Sequence, residues 1–198
     1  MTIDSEWDNN LGIRTTGRDD SIADLVRFPY EPTDYCVLER LANSGYFTKR
    51  NTLLDYGCGK GRVDFFLAYQ TKCQAIGIEY NERLFARAKQ NKQQAVAGGR
   101  VTLTLIDAAD YTVPAEVDRV FFFNPFSVEI LRLVMEHLAA SYEQTPREIL
   151  LFFYYPSAYY RDYLAAEERL IPVETIPCGD LFKESDGREE VLIYKFLA

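Results

Sequence analysis

Four short constellations in the chain carry groups that can bind a ligand or do chemistry. The first runs from Leu53 to Arg62 and reads Leu-Leu-Asp-Tyr-Gly-Cys-Gly-Lys-Gly-Arg, an apolar run closed by Asp55 and then broken by Gly57, Gly59 and Gly61. Glycine at every second position lets the backbone turn tightly and lie against a ligand. At a strand-to-helix turn, it leaves backbone N–H groups pointing into a crevice. The spacing is neither the G-x-G-x-x-G of dinucleotide folds nor a Walker A loop, because Gly61 follows Lys60 where Ser or Thr is required. The second is Glu79, which stops the apolar run Ala75–Ile78 22 positions after Gly57. This is close to the ~20 at which nucleotide folds place the carboxylate for a ribose diol. The third is Asp107-Ala108, with Asp110 three residues further on, and the fourth is Asn124-Pro125-Phe126. Each of these two follows an apolar stretch.

The flanking patterns supply the elements that must hold these groups. Thr33-Asp34 followed by Tyr35, Val37, Leu38, Leu41 and Ala42 reads as a capped amphipathic helix. The glycine turn then leads into a buried helix over Val63–Gln70. A helix over Asn81–Ala97 stops at Gly98-Gly99, its Lys and Arg forming a solvated face. Strands are expected at Val101–Ile106, Val117–Phe123 and Ile149–Tyr154, and helices at Ser127–Ala140 and from Ala158 to about Glu168. Two C-terminal strands, Leu170–Ile176 and Glu190–Phe196, flank Asp186-Gly187, a hairpin signal. Alternating strands and helices ending in a hairpin point to an α/β parallel sheet with one antiparallel strand. The aromatic pairs Phe152-Phe153, Tyr154-Tyr155 and Tyr159-Tyr160 serve either as core or as faces for a base or an ammonium group.

Composition narrows the chemistry. The chain has 198 residues, a length suited to one domain, and 47% hydrophobic residues supply its core. His137 is the only histidine, and the four cysteines (Cys36, Cys58, Cys73, Cys178) form no C-x-x-C pair. No metal centre or Ser-His-Asp triad is therefore expected. Scattered free thiols fit a reducing, cytoplasmic setting, and no run is long and apolar enough for a membrane span. A net charge of −8 disfavours duplex nucleic acid as a partner. Residues 1–33 read as a polar N-terminal arm before a core over 34–198. Residues 1–20 are expected to be a loosely ordered tail. Residues 21–33 are read as a lid, with Trp7 and Phe28-Pro29-Tyr30 as anchors.

Asp55-x-Gly57-x-Gly59-x-Gly61 resembles the first motif, D/E-x-G-x-G-x-G, of the class I (seven-strand) S-adenosylmethionine-dependent methyltransferases. The later landmarks extend the likeness over most of the chain. The resemblance implies a Rossmann-like seven-strand sheet, mostly parallel with one antiparallel C-terminal strand and helices on both faces. It also implies S-adenosylmethionine as cofactor and S-adenosylhomocysteine as product. A positive sulfonium suits an acidic protein. By the same resemblance Asp55, Gly57, Cys58, Gly59 and Gly61 form the cofactor loop and Glu79 takes the ribose. Asp107 and Ala108 meet the adenine, with Asp110 as the second candidate for that acid. Tyr30-Glu31-Pro32-Thr33 resembles the Tyr-x-Pro-Thr entry of some protein lysine methyltransferases, which implies that Tyr30 and Thr33 close over the methionine part. Asn124-Pro125-Phe126 resembles the (N/D)-P-P-(Y/F/W) element of nitrogen-directed methyltransferases but lacks its second proline. It implies Asn124, Pro125 and Phe126 as the catalytic group, with Asn124 also touching the cofactor. The expected activity is methyl transfer to a nitrogen of a protein side chain or small molecule. The alternatives are a non-catalytic cofactor-binding sensor of the same fold and an RNA methyltransferase.

Overall fold

The computed structural model describes residues 3–18 and 30–197. Seven strands form one sheet: β1 (Thr52–Tyr56), β2 (Gln74–Glu79), β3 (Val101–Leu105), β4 (Arg119–Phe122), β5 (Ile149–Tyr154), β6 (Leu170–Pro177) and β7 (Glu190–Phe196). Their spatial order is β3-β2-β1-β4-β5-β7-β6. The first five are mutually parallel, and β7 runs antiparallel to both β5 and β6. Strand order reverses between β1 and β4, which are registered Tyr56 to Phe122. The chains leaving these two strands diverge there and open a crevice at their carboxyl ends.

The helices are α1 (Ile3–Leu11), α2 (Tyr35–Ala42), α3 (Arg62–Thr71), α4 (Glu82–Gln94), α5 (Val128–Gln144) and α6 (Ala158–Ala166). Because β1, β4 and β5 are buried along their whole length, successive residues feed two cores. Leu53, Phe121 and Phe152 pack with α2 and α3 on one face; Leu54, Phe122 and Phe153 pack with α5 and α6 on the other. Phe122 stacks on both Tyr56 and Phe153, at centroid distances of 5.3 and 4.6 Å. Of the aromatic pairs, Phe152, Phe153, Tyr154 and Tyr160 are thus core residues, and Tyr159 is exposed.

Element boundaries shift where packing overrides local punctuation. Helix α4 ends at Gln94, before Gly98-Gly99, which instead form a short 3-10 turn leading into β3. Helix α5 runs about one turn beyond Ala140 because Leu138 and Ser141 continue its buried stripe. Strands β6 and β7 pair as a hairpin would, but their connection spans residues 178–189 with a 3-10 turn over Gly179–Leu181. Gly187 takes a left-handed φ of 83° within that longer loop.

The N-terminal residues differ most from expectation. Residues 3–11 form a helix rather than a loose tail, and Leu11 and Ile13 are buried. Trp7 packs edge-on to Phe66 of α3 at 5.0 Å and donates its indole N–H to Glu39 of α2 at 2.9 Å. The polar composition of this stretch reflects an internal network: Asp8 accepts hydrogen bonds from the Thr15 N–H, the Thr15 hydroxyl and the Tyr35 hydroxyl. Of the lid segment, residues 19–29, including Phe28-Pro29, lie outside the described residues.

Because Trp7 ties α1 to α2 and α3, Trp7→Ala should destabilise the fold by about 2–3 kcal/mol, somewhat less than a fully buried tryptophan. Denaturant unfolding of both proteins measures it. A change within about 0.5 kcal/mol, as for an ordinary surface site, would return α1 to a tail.

Candidate cofactor site

The cavity at the carboxyl ends of β3, β2, β1 and β4 is lined by residues at or just after each strand end: Ile106–Ala108, Glu79–Asn81, Asp55–Cys58 and Phe123–Phe126. Tyr30–Thr33 and Arg62 complete its wall. Asp107 and Ala108 line this wall, and Asp110 does not. Asp107 also caps the short turn after β3 by accepting the Ala109 N–H at 3.1 Å. His137 bonds the Ala109 carbonyl through Nε2 at 2.9 Å, a packing contact away from the cavity wall.

Each glycine of the loop is held by a specific neighbour. Gly57, at φ 75°, faces Pro125: an added Cβ would stand 2.7 Å from the proline Cβ. Gly59, at φ 57°, lies under the Tyr30 ring, which leaves no room for a Cβ. Gly61, at φ 85°, forms the N-cap of α3. Gly57 and Cys58 line the cavity, while Gly59 and Gly61 shape the loop beneath it.

Glu79 binds the loop to the next strand. Its Oε2 accepts the Gly59 N–H at 2.9 Å, and its Oε1 accepts the Asn81 N–H at 2.7 Å. Burial raises its pKa, and these backbone donors oppose the shift. The Tyr80 N–H also lowers the pKa of this carboxylate; with two lone-pair directions on each oxygen, acceptor capacity remains for a ligand hydroxyl.

Beneath the loop, Asp55 and Asp64 form a buried carboxyl pair. Burial raises both pKa values, and each carboxyl reinforces or is reinforced by its neighbours, Asp64 by Asp55 and Asp55 by Glu79. Neither Asp64 oxygen receives a hydrogen bond from an N–H or hydroxyl among the described residues. A proton held between the two carboxyls meets that need. Gly77 makes the space: a Cβ there would come within 2.8 Å of both Asp64 Oδ2 and Cys58 Sγ.

Asn124, Pro125 and Phe126 all line the cavity. The Asn124 carboxamide, however, is already engaged at both ends. Nδ2 donates to the Tyr155 carbonyl at 2.7 Å, and Oδ1 accepts the Ser157 N–H at 3.0 Å. Asn124 and Tyr155 both hold positive φ, 42° and 49°. Asparagine tolerates this region, whereas for a bulky tyrosine it is strained. The side chain expected to meet a substrate thus also staples the ends of β4 and β5 together. Phe126 points into the core, edge-on to Tyr56 and Phe122, and its carbonyl accepts the Tyr160 hydroxyl at 2.8 Å. Sequence reasoning missed Arg62 on this wall. Its signal was a cation directly after the third glycine, at the helix end where positive charge is disfavoured.

The carboxyl pair makes stability pH-dependent with a definite sign. Because the folded state holds its proton more tightly than the unfolded chain, the pair contributes most at low pH and loses that contribution as pH rises. The window opens near pH 4, where an ordinary aspartate titrates, and extends toward pH 7, about the value to which Asp55 is raised. Asp64→Asn should flatten this decline and stabilise the protein at neutral pH. Thermal unfolding across that range would show it; parallel curves for parent and variant would mean that the pair holds no proton.

The residues present fit S-adenosylmethionine: a glycine cradle that side chains would fill, a carboxylate with acceptor capacity left beside it, and a further acid one strand along. Comparisons with known proteins agree. A family model described as "Methyltransferase domain" matches residues 47–168, more than half of the chain. No curated protein sequence matches significantly. Among solved structures, an RNA methyltransferase from Salinibacter ruber in complex with S-adenosyl-L-homocysteine superposes with a TM-score of 0.60 at 17% identity, covering 84% of this chain and 94% of that one. A TehB-like SAM-dependent methyltransferase from Corynebacterium glutamicum gives 0.56 at 18% identity, covering 83% and 89%. The StiE O-MT gives 0.59 at 14% identity, covering 80% and 72%. At such identities the structural likeness speaks to the fold, the seven-strand Rossmann-like sheet. With the family match across residues 47–168, the glycine loop and the strand order in agreement, the chain belongs to the methyltransferase-domain family and is an S-adenosylmethionine-dependent methyltransferase.

Proposed function

We propose that this methyltransferase acts on a nitrogen, in a protein side chain or a small-molecule amine. The observation that carries the proposal is the contact between Pro125 and Gly57, which sets the turn after β4 directly against the glycine loop. S-adenosylmethionine supplies, when bound, an electrophilic methyl group on a sulfonium. The protein's part is to hold the acceptor in line with that group and to exclude water. Carbonyl oxygens suit this task because they accept N–H bonds from an amine while leaving its lone pair free. The Pro125 carbonyl and the second lone pair of Asn124 Oδ1 take this role, with Phe126 as the floor beneath them.

In this reading Asp55, Gly57, Cys58, Gly59 and Gly61 form the cofactor loop, Glu79 holds the ribose hydroxyls, and Asp107 and Ala108 meet the adenine. Tyr30 and Thr33 close over the tail of the cofactor. Two features support this closure. The Tyr30 ring lies on Gly59 and its hydroxyl donates to the Thr15 carbonyl. Lys60 in turn holds the Thr16 and Gly17 carbonyls and sits 4.6 Å from the Tyr30 ring centroid.

Charge favours an amine over a phosphate-bearing acceptor. Among the described residues, the wall carries Glu31, Glu79 and Asp107 against one cation, Arg62, while Asp55 shares its proton with Asp64. Such a lining attracts an ammonium group and repels phosphates, which weighs against RNA although RNA and O-methyltransferases share the fold. No helix among the described residues is long and apolar enough to cross a membrane. The free thiols of Cys58, Cys73 and Cys178 are buried, consistent with a reducing cytoplasm as the setting.

Incubation with methyl-labelled cofactor and cell extract should put the label into protein or a small amine, with mass spectrometry locating it on nitrogen. Label released by ribonuclease, or found on oxygen, would overturn the proposal. Asn124→Ala should lower transfer by about 10²-fold, the scale of a mispositioned acceptor, with S-adenosylhomocysteine affinity within a few-fold of the parent. Full activity in that variant would remove Asn124 from the site's function.

A further inference from the structure

Arg62 is the least expected residue of the site. It opens α3 directly after Gly61, where the helix dipole disfavours a cation, and its side chain is only 2% exposed. Placing a guanidinium in the interior costs several kcal/mol unless its donors are met. Most are. Nε donates to Thr15 Oγ1 at 2.7 Å, and Nη1 donates to the Thr33 carbonyl at 3.1 Å and lies 3.4 Å from Asp4. The plane sits 4.3 Å from the Tyr35 ring centroid. Nη2, with two N–H groups, is buried and has no hydrogen-bond partner among the described residues.

This incompletely satisfied cation is part of the cavity wall, beside Tyr30–Thr33. The wall follows the strand order: Ile106–Ala108 after β3, Glu79–Asn81 after β2, then Asp55–Cys58 after β1, and finally Arg62 with the arm. If the nucleoside occupies the β3 and β2 end, where Asp107 and Glu79 stand, the amino-acid tail extends toward Arg62. That tail carries the cofactor's one carboxylate, and a carboxylate is the group a guanidinium pairs with best.

We infer that Arg62 receives the carboxylate of the cofactor's methionyl tail through Nη2. Its other N–H groups hold it in place by donating to the Thr15 hydroxyl, itself fixed by Asp8, and to the Thr33 carbonyl, so the guanidinium is set before ligand arrives. The N-terminal helix thereby contributes to cofactor recognition without touching the cofactor. The inference rests on the cofactor and not on the identity of the methyl acceptor.

Calorimetry with two product-like probes tests it without turnover. One is S-adenosylhomocysteine; the other is 5′-methylthioadenosine, which has the nucleoside and the sulfur but no amino-acid tail. Arg62→Lys, which keeps the charge but loses the fork, should weaken S-adenosylhomocysteine by about tenfold or more, as for loss of a charge-assisted hydrogen bond. It should leave 5′-methylthioadenosine within about twofold, since no lost contact reaches that probe. Equal weakening of both would make Arg62 a support for the loop alone, and no change in either would mean that Nη2 meets no ligand group; either would overturn the inference. Should the variant fail to fold, the parent decides. Replacing the carboxylate of S-adenosylhomocysteine by a carboxamide should cost about tenfold or more, and equal affinity for the two would overturn the inference.

Discussion

The hydrogen bond from the Gly59 N–H to Glu79 Oε2 is the contact on which the site's geometry depends. It joins the turn after β1 to the end of β2, so the glycine loop is held from the side rather than only by its own backbone. The Gly57 and Cys58 N–H groups extend the same tie by donating to the Ile78 carbonyl at 3.0 and 2.9 Å. A carboxylate serves better here than a neutral acceptor, since it takes backbone donors on both oxygens and keeps acceptor capacity for a diol. One residue thus shapes the crevice and faces the ligand. A mutation at Glu79 therefore cannot be interpreted as loss of ligand contact alone.

Around that tie, the loop is packed from three sides. Pro125 closes on Gly57 from β4, Tyr30 on Gly59 from the arm, and Phe65 on Gly61 from α3. Absence of a Cβ at each position is what lets these neighbours come so close. Under the loop, room for Asp64 is created by Gly77. The crevice is consequently stiff on its floor, while beside its rim Tyr155 carries backbone strain, held by the bond from Asn124. Rigid floors and strained rims suit transfer chemistry, in which position decides rate.

The N-terminal helix is tied into this arrangement through polar groups as well as through apolar packing. Asp8 fixes Thr15 and Tyr35, Thr15 fixes Arg62 and Tyr30, and Asn91 of α4 reaches both the Arg14 backbone and the Lys60 carbonyl. Buried networks of this kind cost heavily when any member is left unpaired. They therefore specify one arrangement of arm and loop.

Much of the molecule was legible in the residues themselves. Three glycines at alternate positions, an acid at the end of each of two apolar runs and a regular exchange of strand and helix patterns determine the parallel α/β sheet and its crevice. They do so because backbone freedom and side-chain periodicity are local properties. Other features were decided only by the tertiary structure. Residues 3–11 look polar because their partners, Tyr35, Glu39 and Phe66, lie far along the chain. Asn124 shows no structural role in the sequence, and only the fold brings Tyr155 and Ser157, about 30 residues away, onto its carboxamide. Arg62 looks like a surface cation at a helix start until the arm folds over it. In each case the sequence names the chemical group, but its hydrogen-bond partners come from distant segments, and only folding brings them together.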